Sequence, residues 1–200
     1  MLEVGCRPSS IFLLDFLYLT PPHPTPPHPI PSHPTSPHRW KVDFGKAWEH
    51  LGGETLGQTQ ISYCRTNDKE AVPFNHPLDI HFAAAGMHGW SGAPRIAFQC
   101  YKLDWHGRRL LVGYAFEHLP MTPGPHRLQV NLWRPVGSPE QELDAFLLGR
   151  VPALTSHEPL YESAWRERCR LVTEAAGTVQ VDLFVVARNM GSRVDQVVSN

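Results

Sequence analysis

The stretch VQVDLFV at residues 179–185 indicates the fold class, because an apolar side chain occupies every second position. Successive side chains of an extended strand point to opposite faces, so the valines and the leucine share one face while Gln180 and Asp182 lie on the other. The apolar row consists of Val179, Val181, Leu183 and Val185. The pattern predicts a β-strand that is buried on one side.

Upstream of this stretch, the same alternation recurs in short segments separated by Gly, Pro, Asn and Asp. We predict strands at residues 58–64, 78–82, 95–102, 110–116 and 128–132. In the second of these, Leu78, Ile80 and Phe82 form the apolar face, and Asp79 and His81 lie on the solvent face. Repeated short strands of this kind are typical of an antiparallel sheet.

Turn residues predict which strands are neighbours. Residues 95–102 should pair antiparallel with residues 110–116 across a turn at 106–107. The last strand should pair with residues 168–173 across a turn at 175–177. Within residues 110–116, alternation assigns four large side chains to a single face: Leu110, Val112, Tyr114 and Phe116.

One helix is predicted after the fifth strand. Ser138-Pro139-Glu140-Gln141 is a capping box with proline at the first helical position. Leu143, Phe146 and Leu147 then form an apolar stripe, and Gly149 ends the helix. Around eight strands and one short inserted helix in about 150 residues favour an all-β, antiparallel β-sandwich over a parallel α/β fold.

Residues 1–38 differ in composition from the rest, because a proline- and histidine-rich repeat begins at Thr20. We predict that they form a disordered or polyproline leader, followed by one folded domain at 39–190 and a flexible tail at 191–200. The repeat places His23, His28, His33 and His38 on different sides of a polyproline helix, so we expect no preformed metal site. Its regularity also suggests the hypothesis that residues 1–38 are a misassigned first exon.

The apolar run at residues 11–19 is too short to span a membrane and contains Asp15, so we predict no transmembrane segment. It also lacks the cleavage site of a signal peptide. The four cysteines, at 6, 64, 100 and 169, show none of the close pairs of zinc or redox motifs. We therefore expect reduced thiols and a cytosolic context, with Cys100 and Cys169 buried.

Net charge and motif spacing argue against several classes of function. The net charge is −1 and basic residues are not clustered, which argues against nucleic acid as a partner. His76, Asp79 and His81 could in principle hold iron or zinc, but we interpret them as a turn and the solvent face of a strand. Residues 89–93 do not match a nucleophile elbow. We predict a protein that is not an enzyme and needs no cofactor.

Six tryptophans are a heavy load for a domain of this size. We expect several to cover the ends of the sandwich and one or two to be exposed interface anchors. Trp90 and Trp105 are the candidates, because both lie in predicted loops. Arg108 and Arg109 beside Trp105 complete a candidate partner-facing or membrane-facing loop.

Five motifs, together with a closing stretch, resemble the B9 family of C2-like domains over residues 39–189. They are GKAWEHLGG at 45–53 with GQTQ at 57–60, HPLDIHFA at 76–83, GMHGW at 86–90, WRPVGS at 133–138 and AGTVQVDL at 176–183. WRPVGS and the helix after it favour the second paralogue of the family over the first. The family-motif residues are Trp48, His76, Pro77, Asp79, His81, Phe82, Gly89, Trp90, Trp133, Arg134, Pro135 and Gly137.

The resemblance implies a C2-like sandwich that acts as a structural subunit of the Meckel syndrome-type complex at the ciliary transition zone and basal body. Its implied partners are the other B9 proteins, B9 domain-containing protein 1 and the Meckel syndrome type 1 protein. Cilium assembly, gating of ciliary membrane proteins and a cytoplasmic, cytoskeletal location are implied as well. Binding to γ-tubulin is also ascribed to the family.

Two departures from the family pattern lead to further expectations. The proline-rich leader occupies the place of the family's first strand, so that strand is expected to be missing and its neighbour to be an unpaired edge. Ser91-Gly92-Ala93 is inserted after the loop tryptophan. Aspartates are too sparse for a calcium site, so we predict a calcium-independent domain. The alternative function is a peripheral module that makes weak contact with ciliary membrane lipids.

Overall fold

The computed structural model describes residues 9–20, 34–35, 38–63, 72–84, 92–103, 106–148, 150–155 and 171–188. These ranges contain twelve strands and one helix. The strands are β1 (Ser9–Thr20), β2 (Pro34–Thr35), β3 (Arg39–Asp43), β4 (Trp48–Gly53), β5 (Leu56–Gln58), β6 (Ser62–Tyr63), β7 (Val72–Pro73), β8 (Leu78–Ala84), β9 (Arg95–Leu103), β10 (Arg109–His118), β11 (Gly124–Pro135) and β12 (Thr173–Arg188). The helix α1 (Pro139–Leu148) lies between β11 and β12.

Ten of these strands form one sheet in the order β4-β8-β1-β12-β11-β10-β9-β3-β5, with β7 paired to β1. β2 and β6 form a separate two-stranded sheet. Every pair in the large sheet is antiparallel. The predicted all-β, C2-like antiparallel sandwich is therefore confirmed.

The large sheet folds over itself to make two layers around a single main core. Trp40 and Phe98, from β3 and β9, belong to the same buried cluster as Phe82 and Val181, from β8 and β12. The two halves of the sheet are joined by a narrow link, since β10 and β11 pair only at Tyr114 and Trp133. This link is where the chain passes from one layer to the other.

The alternation in three strands gives the core that the sequence predicts. Leu78, Ile80 and Phe82 are buried on β8, and Val130 and Leu132 are buried on β11. The four alternate residues of β12 from Val179 to Val185 are all at most 3% exposed. Cys100 on β9 is buried as a free thiol, as predicted, and burial raises its pKa. Cys6, Cys64 and Cys169 lie outside the described residues.

A second, smaller cluster covers the outer face of β9 and β10. Ala97, Leu111 and Tyr114 are its buried members, and Val151 and Leu154 of the segment after α1 pack against it. The Leu154 N–H donates to the Tyr114 hydroxyl at 3.2 Å. This segment therefore caps one outer face of the sandwich with apolar side chains.

β9 and β10 are antiparallel neighbours as predicted, but the single apolar face assigned to β10 is wrong. A β-bulge between Leu111 and Gly113 shifts the register. Val112 therefore packs against the main core, whereas Tyr114 and Phe116 pack in the outer cluster. An extra residue in one strand reverses the facing of all later residues, which simple alternation does not reveal.

The predicted partner of the last strand is also wrong. Residues 175–177 are not a turn but lie inside β12, where Ala176 is the extra residue of a bulge opposite Leu132 and Trp133 of β11. β12 pairs with β11 on one side and with β1 on the other. The predicted strand at 58–64 is split into β5 and β6, and residues 168–170 lie outside the described residues.

The predicted leader is wrong where the structure describes it. Ser9–Thr20 forms β1, which pairs with β8 and with β12 in the middle of the sheet. The expected missing first strand is therefore present, and the central strands are not left as an edge. Asp15, the charge that interrupts the apolar run, falls at the bulge between Leu14 and Phe16.

The boundary after residue 38 is wrong as well. Pro34–Thr35 pairs with Ser62–Tyr63, and His38 is completely buried. The His38 C=O accepts from the Thr59 N–H at 2.8 Å, which extends the β3–β5 pairing by one residue. The repeat at residues 21–33 and the predicted tail at 191–200 lie outside the described residues.

Two glycines let neighbouring atoms pack closer to the backbone than a Cβ atom would allow. A Cβ atom on Gly45 would lie 2.7 Å from the Cα of Gly92, and the Gly45 N–H donates to the Gly92 C=O at 2.8 Å. Gly92 of the insertion thus meets the turn that precedes β4. A Cβ atom on Gly57 would lie 2.6 Å from the indole ring of Trp40. The Trp40 ring packs directly on the β5 backbone.

Replacing Gly57 with alanine should lower the free energy of unfolding by about 1–3 kcal/mol, because the buried Trp40 ring cannot move aside without disturbing the core. Gly52→Ala is the matched control, since a Cβ there meets its nearest atom at 3.7 Å. Urea unfolding of both variants checks this. Equal stability of the two would show that Trp40 does not pack as described.

Candidate interaction surface

Several family-motif residues build one end of the core. Phe82 lies at its centre, with the ring of Phe44 at 5.1 Å, His50 at 5.8 Å and Trp48 at 6.4 Å. The Trp48 and Phe82 rings are perpendicular, at 90°, which is a favourable edge-to-face arrangement. The motif at 45–53 and the motif at 76–83 are thus two sides of one aromatic cluster.

His76 fastens the turn before β8. The Trp40 Nε1–H donates to His76 Nε2 at 3.3 Å, which leaves Nδ1 to carry the proton and donate to Gln60 Oε1, also at 3.3 Å. Burial, partly offset by the Glu54 carboxylate, lowers the pKa of His76. Pro77 follows on the exposed side of the turn. His76 therefore joins β3 to the loop between β7 and β8.

Asp79 and His81 lie beside each other on the outer side of β8, with His81 Nε2 3.4 Å from Asp79 Oδ1. The third candidate ligand, His76, is engaged with Trp40 instead. Within the described ranges, no three His, Cys, Asp or Glu side chains are grouped as metal ligands. The motif's polar residues here belong to the surface of the sheet.

The WRPVGS motif attaches the helix to β11. The guanidinium of Arg134 bonds Glu142 at 3.3 Å and also bonds Glu174 of β12. The Gly137 N–H donates to Glu142 Oε1 at 3.0 Å. Pro135 pairs with Thr173 in the ladder with β12. These bonds hold the first turn of α1 against the ends of two strands.

The remaining residues of that motif pack beneath it. The Trp133 ring lies 5.5 Å from that of Tyr114, at the link between the layers. The predicted capping box is confirmed, since Ser138 N–H donates to Gln141 Oε1 at 2.9 Å and Gln141 N–H to Ser138 Oγ at 3.3 Å. Leu143 and Leu147 of the apolar stripe are exposed. The Phe146 side chain and Gly149 lie outside the described part of the chain.

Of the predicted loop residues, the structure describes Arg108 and Arg109. Gly89, Trp90 and Trp105 lie outside the described residues. Arg108 and Arg109 are exposed at the β9–β10 hairpin, and the Arg109 guanidinium lies 5.6 Å from the centre of the Tyr101 ring. Among the described tryptophans, Trp40 and Trp48 are buried and Trp133 is half-buried.

Alternation did not predict that large apolar side chains stay exposed on the outer face of β12. Phe184 is 45% exposed and Val186 is 43% exposed on that face. Their register partners on β1 are Leu13 and Ile11, and Pro125 of β11 lies opposite Phe184. We call Phe184 and Val186 the β12 ridge. Large apolar side chains on an outer sheet face are the kind of surface that partner proteins cover.

His38 is a buried base that the sequence placed in the leader. The Nδ1 atom of its ring accepts a hydrogen bond from the Tyr101 backbone N–H at 3.1 Å. The backbone N–H of His38 donates to Thr59 Oγ1 at 2.9 Å. The ring packs 4.3 Å from Phe74. Burial lowers the pKa of His38 to about 4. The side chain is therefore neutral in the folded protein near pH 7.

Comparison with known proteins identifies the family. A profile of the family described as "Ciliary basal body-associated, B9 protein" matches residues 32–186. The chain belongs to the B9 family. Its predicted resemblance to that family is thereby confirmed, and the match begins upstream of the predicted boundary at residue 39.

Among B9 proteins, the chain is similar to B9 domain-containing protein 2. It is 38% identical over 151 residues to that protein from Homo sapiens, which covers 76% of this chain and 82% of the relative. Identity to the Drosophila melanogaster protein is 34% over 158 residues, covering 76% and 85%. B9 domain-containing protein 1 of Xenopus laevis is 29% identical over 160 residues, covering 77% and 79%. Among the described residues, no helix is long and apolar enough to cross a membrane.

The B9 domain should lose stability as the pH falls from 6.5 to 4, because unfolded His38 binds a proton in this range and the folded side chain does not. The full shift corresponds to about 3 kcal/mol. His38→Asn keeps an acceptor for the Tyr101 N–H but does not titrate. Urea unfolding across this range should give a smaller loss for the variant, and equal losses would contradict the burial of His38.

Glu142 should titrate below its ordinary range, because the Gly137 N–H and then the Arg134 guanidinium favour its charged form. The charged Glu142 carboxylate stabilises the fold above the pKa that this group has in the unfolded chain. The stabilisation is lost as the pH falls through the lower pKa of the folded state. NMR titration should show that Arg134→Gln raises the pKa of Glu142 without fully restoring it. An unchanged pKa would show that the Arg134 contact does not form in solution.

Proposed function

We propose that this chain is a non-catalytic structural subunit of the Meckel syndrome-type complex at the ciliary transition zone and basal body. It binds B9 domain-containing protein 1 and the Meckel syndrome type 1 protein and supports cilium assembly and the gating of ciliary membrane proteins. The observation that carries the proposal is the B9 family match over residues 32–186. The family is described as ciliary basal body-associated.

The arrangement of side chains supports a binding role. The described motif residues pack in the core, bond the turn before β8 and bond the first turn of α1 to β11. They do not meet in one cleft. Apolar side chains left outside the core include Phe184 and Val186 of the β12 ridge. A stable assembly of domains buries about 2,000 Å² or more and places such residues at its centre. A sister B9 domain is the occupant proposed for the ridge.

A second candidate function is peripheral binding to membrane lipids. The exposed pair Arg108 and Arg109 at the end of the β9–β10 hairpin favours it. Two charges supply only about 2 kcal/mol of attraction to an anionic surface, which is too little for stable binding on its own. Flotation of the purified chain with anionic vesicles, in the absence of partners, tests this alternative.

The purified chain should co-elute with B9 domain-containing protein 1 in size-exclusion chromatography. Phe184→Glu should weaken this association at least about tenfold, because it puts an unpaired charge into an apolar contact. Val172→Glu is the matched control, since Val172 is 70% exposed but lies off the ridge. Failure of the unaltered chain to associate would contradict the proposed function. Equal effects of both variants would contradict the assignment of the ridge.

A further inference from the structure

We infer that Thr122, in the loop between β10 and β11, is an acceptor site for a proline-directed protein kinase, and that the phosphate it receives weakens association at the β12 ridge. The inference deepens the proposed function by naming a regulation of the same surface. Its second part, the effect on association, rests on that function, whereas its first part does not.

Two pairs of a hydroxyl-bearing residue and a proline are exposed in the described part of the chain. Proline-directed kinases phosphorylate a serine or threonine that is followed directly by proline. The sequence contains five such pairs, and both residues are described in two of them, Thr122-Pro123 and Ser138-Pro139. All four of these residues are exposed. The two pairs differ in how the fold holds the serine or threonine.

Ser138 is fixed at the start of α1. Its N–H donates to Gln141 Oε1 at 2.9 Å, and its Oγ accepts from the Gln141 N–H at 3.3 Å. Pro139 is the first residue of the helix. A kinase must bring the acceptor hydroxyl to the γ-phosphate of ATP and to its own catalytic aspartate. Ser138 could reach these groups only if the cap of α1 were broken.

Thr122 lies in the loop of residues 119–123, outside any strand or helix. Its hydrogen bonds among the described residues run to one side chain, since His126 Nε2 is 2.8 Å from the Thr122 C=O and 3.3 Å from Thr122 Oγ1. A carbonyl only accepts, so Nε2 carries the proton and both oxygens accept from it. The hydroxyl proton of Thr122 is not used in this contact. Exposed loops open locally at small cost, which lets Thr122 enter a kinase site.

Phosphoryl transfer to Thr122 uses ATP and the kinase as co-reactants. The Thr122 Oγ1 attacks the γ-phosphorus, the bond from that phosphorus to the β,γ-bridging oxygen breaks, and ADP leaves. The hydroxyl proton passes to the catalytic aspartate of the kinase. The phosphothreonine carries a charge of about −1.5 to −2 at pH 7. His126 Nε2, which lies beside Oγ1, is placed to donate to a phosphate oxygen.

The loop adjoins the β12 ridge at Pro125. Pro125 is exposed and lies opposite Phe184 in the ladder of β11 with β12. Consecutive Cα atoms are 3.8 Å apart, so the Cα of Thr122 lies within about 11 Å of the Cα of Pro125. Paired residues of neighbouring strands are about 5 Å apart. Thr122 therefore lies at most about 17 Å from Phe184, taking the two limits together.

This distance places Thr122 within the area that a sister domain on the ridge would cover. An interface of about 2,000 Å² takes about 1,000 Å² from each partner, which corresponds to a disc with a radius of about 18 Å. A disc of that size centred on Phe184 includes both Pro125 and Thr122. A charge added to Thr122 would thus fall inside the contact area or at its rim.

A phosphate at this position disfavours the contact. The ridge is formed by apolar side chains, and a phosphate that is covered by a partner loses its hydration. Arg127, on the outer face of β11, is already paired with Asp182 at 2.8 Å. It is therefore not available to neutralise the phosphate. The added charge is expected to weaken association and not to strengthen it.

Treatment of the purified full chain with ATP and a cyclin-dependent or mitogen-activated protein kinase tests the first part. Mass spectrometry should find phosphate on Thr122, with little on Ser138. Pro123→Ala should abolish phosphorylation of Thr122, and Pro139→Ala, the matched control at the other pair, should leave it unchanged. The absence of phosphate on Thr122, or equal phosphorylation of Ser138, would overturn the inference.

Association of the phosphorylated chain with B9 domain-containing protein 1 tests the second part. Kinase treatment should weaken the association about tenfold, and a phosphatase should restore it. The same treatment should not change the association of the Thr122→Ala chain, which separates Thr122 from the other phosphorylated positions. Circular dichroism confirms that the phosphorylated chain is folded. Equal association before and after phosphorylation of Thr122 would overturn the link to the ridge.

The inference and the proposed function can fail separately. Mapping of the phosphate needs no B9 partner, so its failure would overturn the inference and leave co-elution of the unmodified chain with B9 domain-containing protein 1 unaffected. Failure of the unmodified chain to co-elute would contradict the proposed function, even if Thr122 were phosphorylated.

Discussion

The row of valine and leucine side chains on β12 is the constraint on which the other parts of the structure depend. β12 lies between β1 and β11, and its inward side chains from Val179 to Val185 are almost completely buried. Burial of a side chain of this size stabilises the fold by about 1.5–3 kcal/mol. Because these residues must face inward, the register of β1 and β11 is set on both sides, and Phe184 and Val186 must face outward. One alternating stretch thus builds the core and the β12 ridge together.

Three conspicuous polar side chains make contacts between elements of the fold. Arg134, His76 and His38 each satisfy backbone or side-chain partners at a place where one element meets another. Buried hydrogen bonds make the arrangement of the groups around them specific. Among the described residues, the β12 ridge is a surface that is left exposed for recognition.

Sequence patterns predicted the parts of the fold that depend on local regularity. The strands β8, β11 and β12 follow from their alternation, and α1 follows from its capping box. The bulge at Leu111 and Gly113 could not be predicted, because it depends on how β9 pairs with β10 and not on composition. β1 was missed because its apolar residues do not alternate with polar ones, and alternation is the pattern from which the other strands were predicted. The β12 ridge was missed because the exposure of Phe184 and Val186 depends on which strands lie beside β12, and that strand was wrongly predicted to pair with residues 168–173.

Hydrogen exchange measured by NMR on the purified chain tests the central claim most directly. If the inward row of β12 closes the core, its amides from residues 179 to 185 should be among the slowest to exchange, and those of β1 opposite them should also be protected. Amides of the edge strand β5 should exchange faster. Rapid exchange throughout β12, at the rate of exposed loops, would contradict the account.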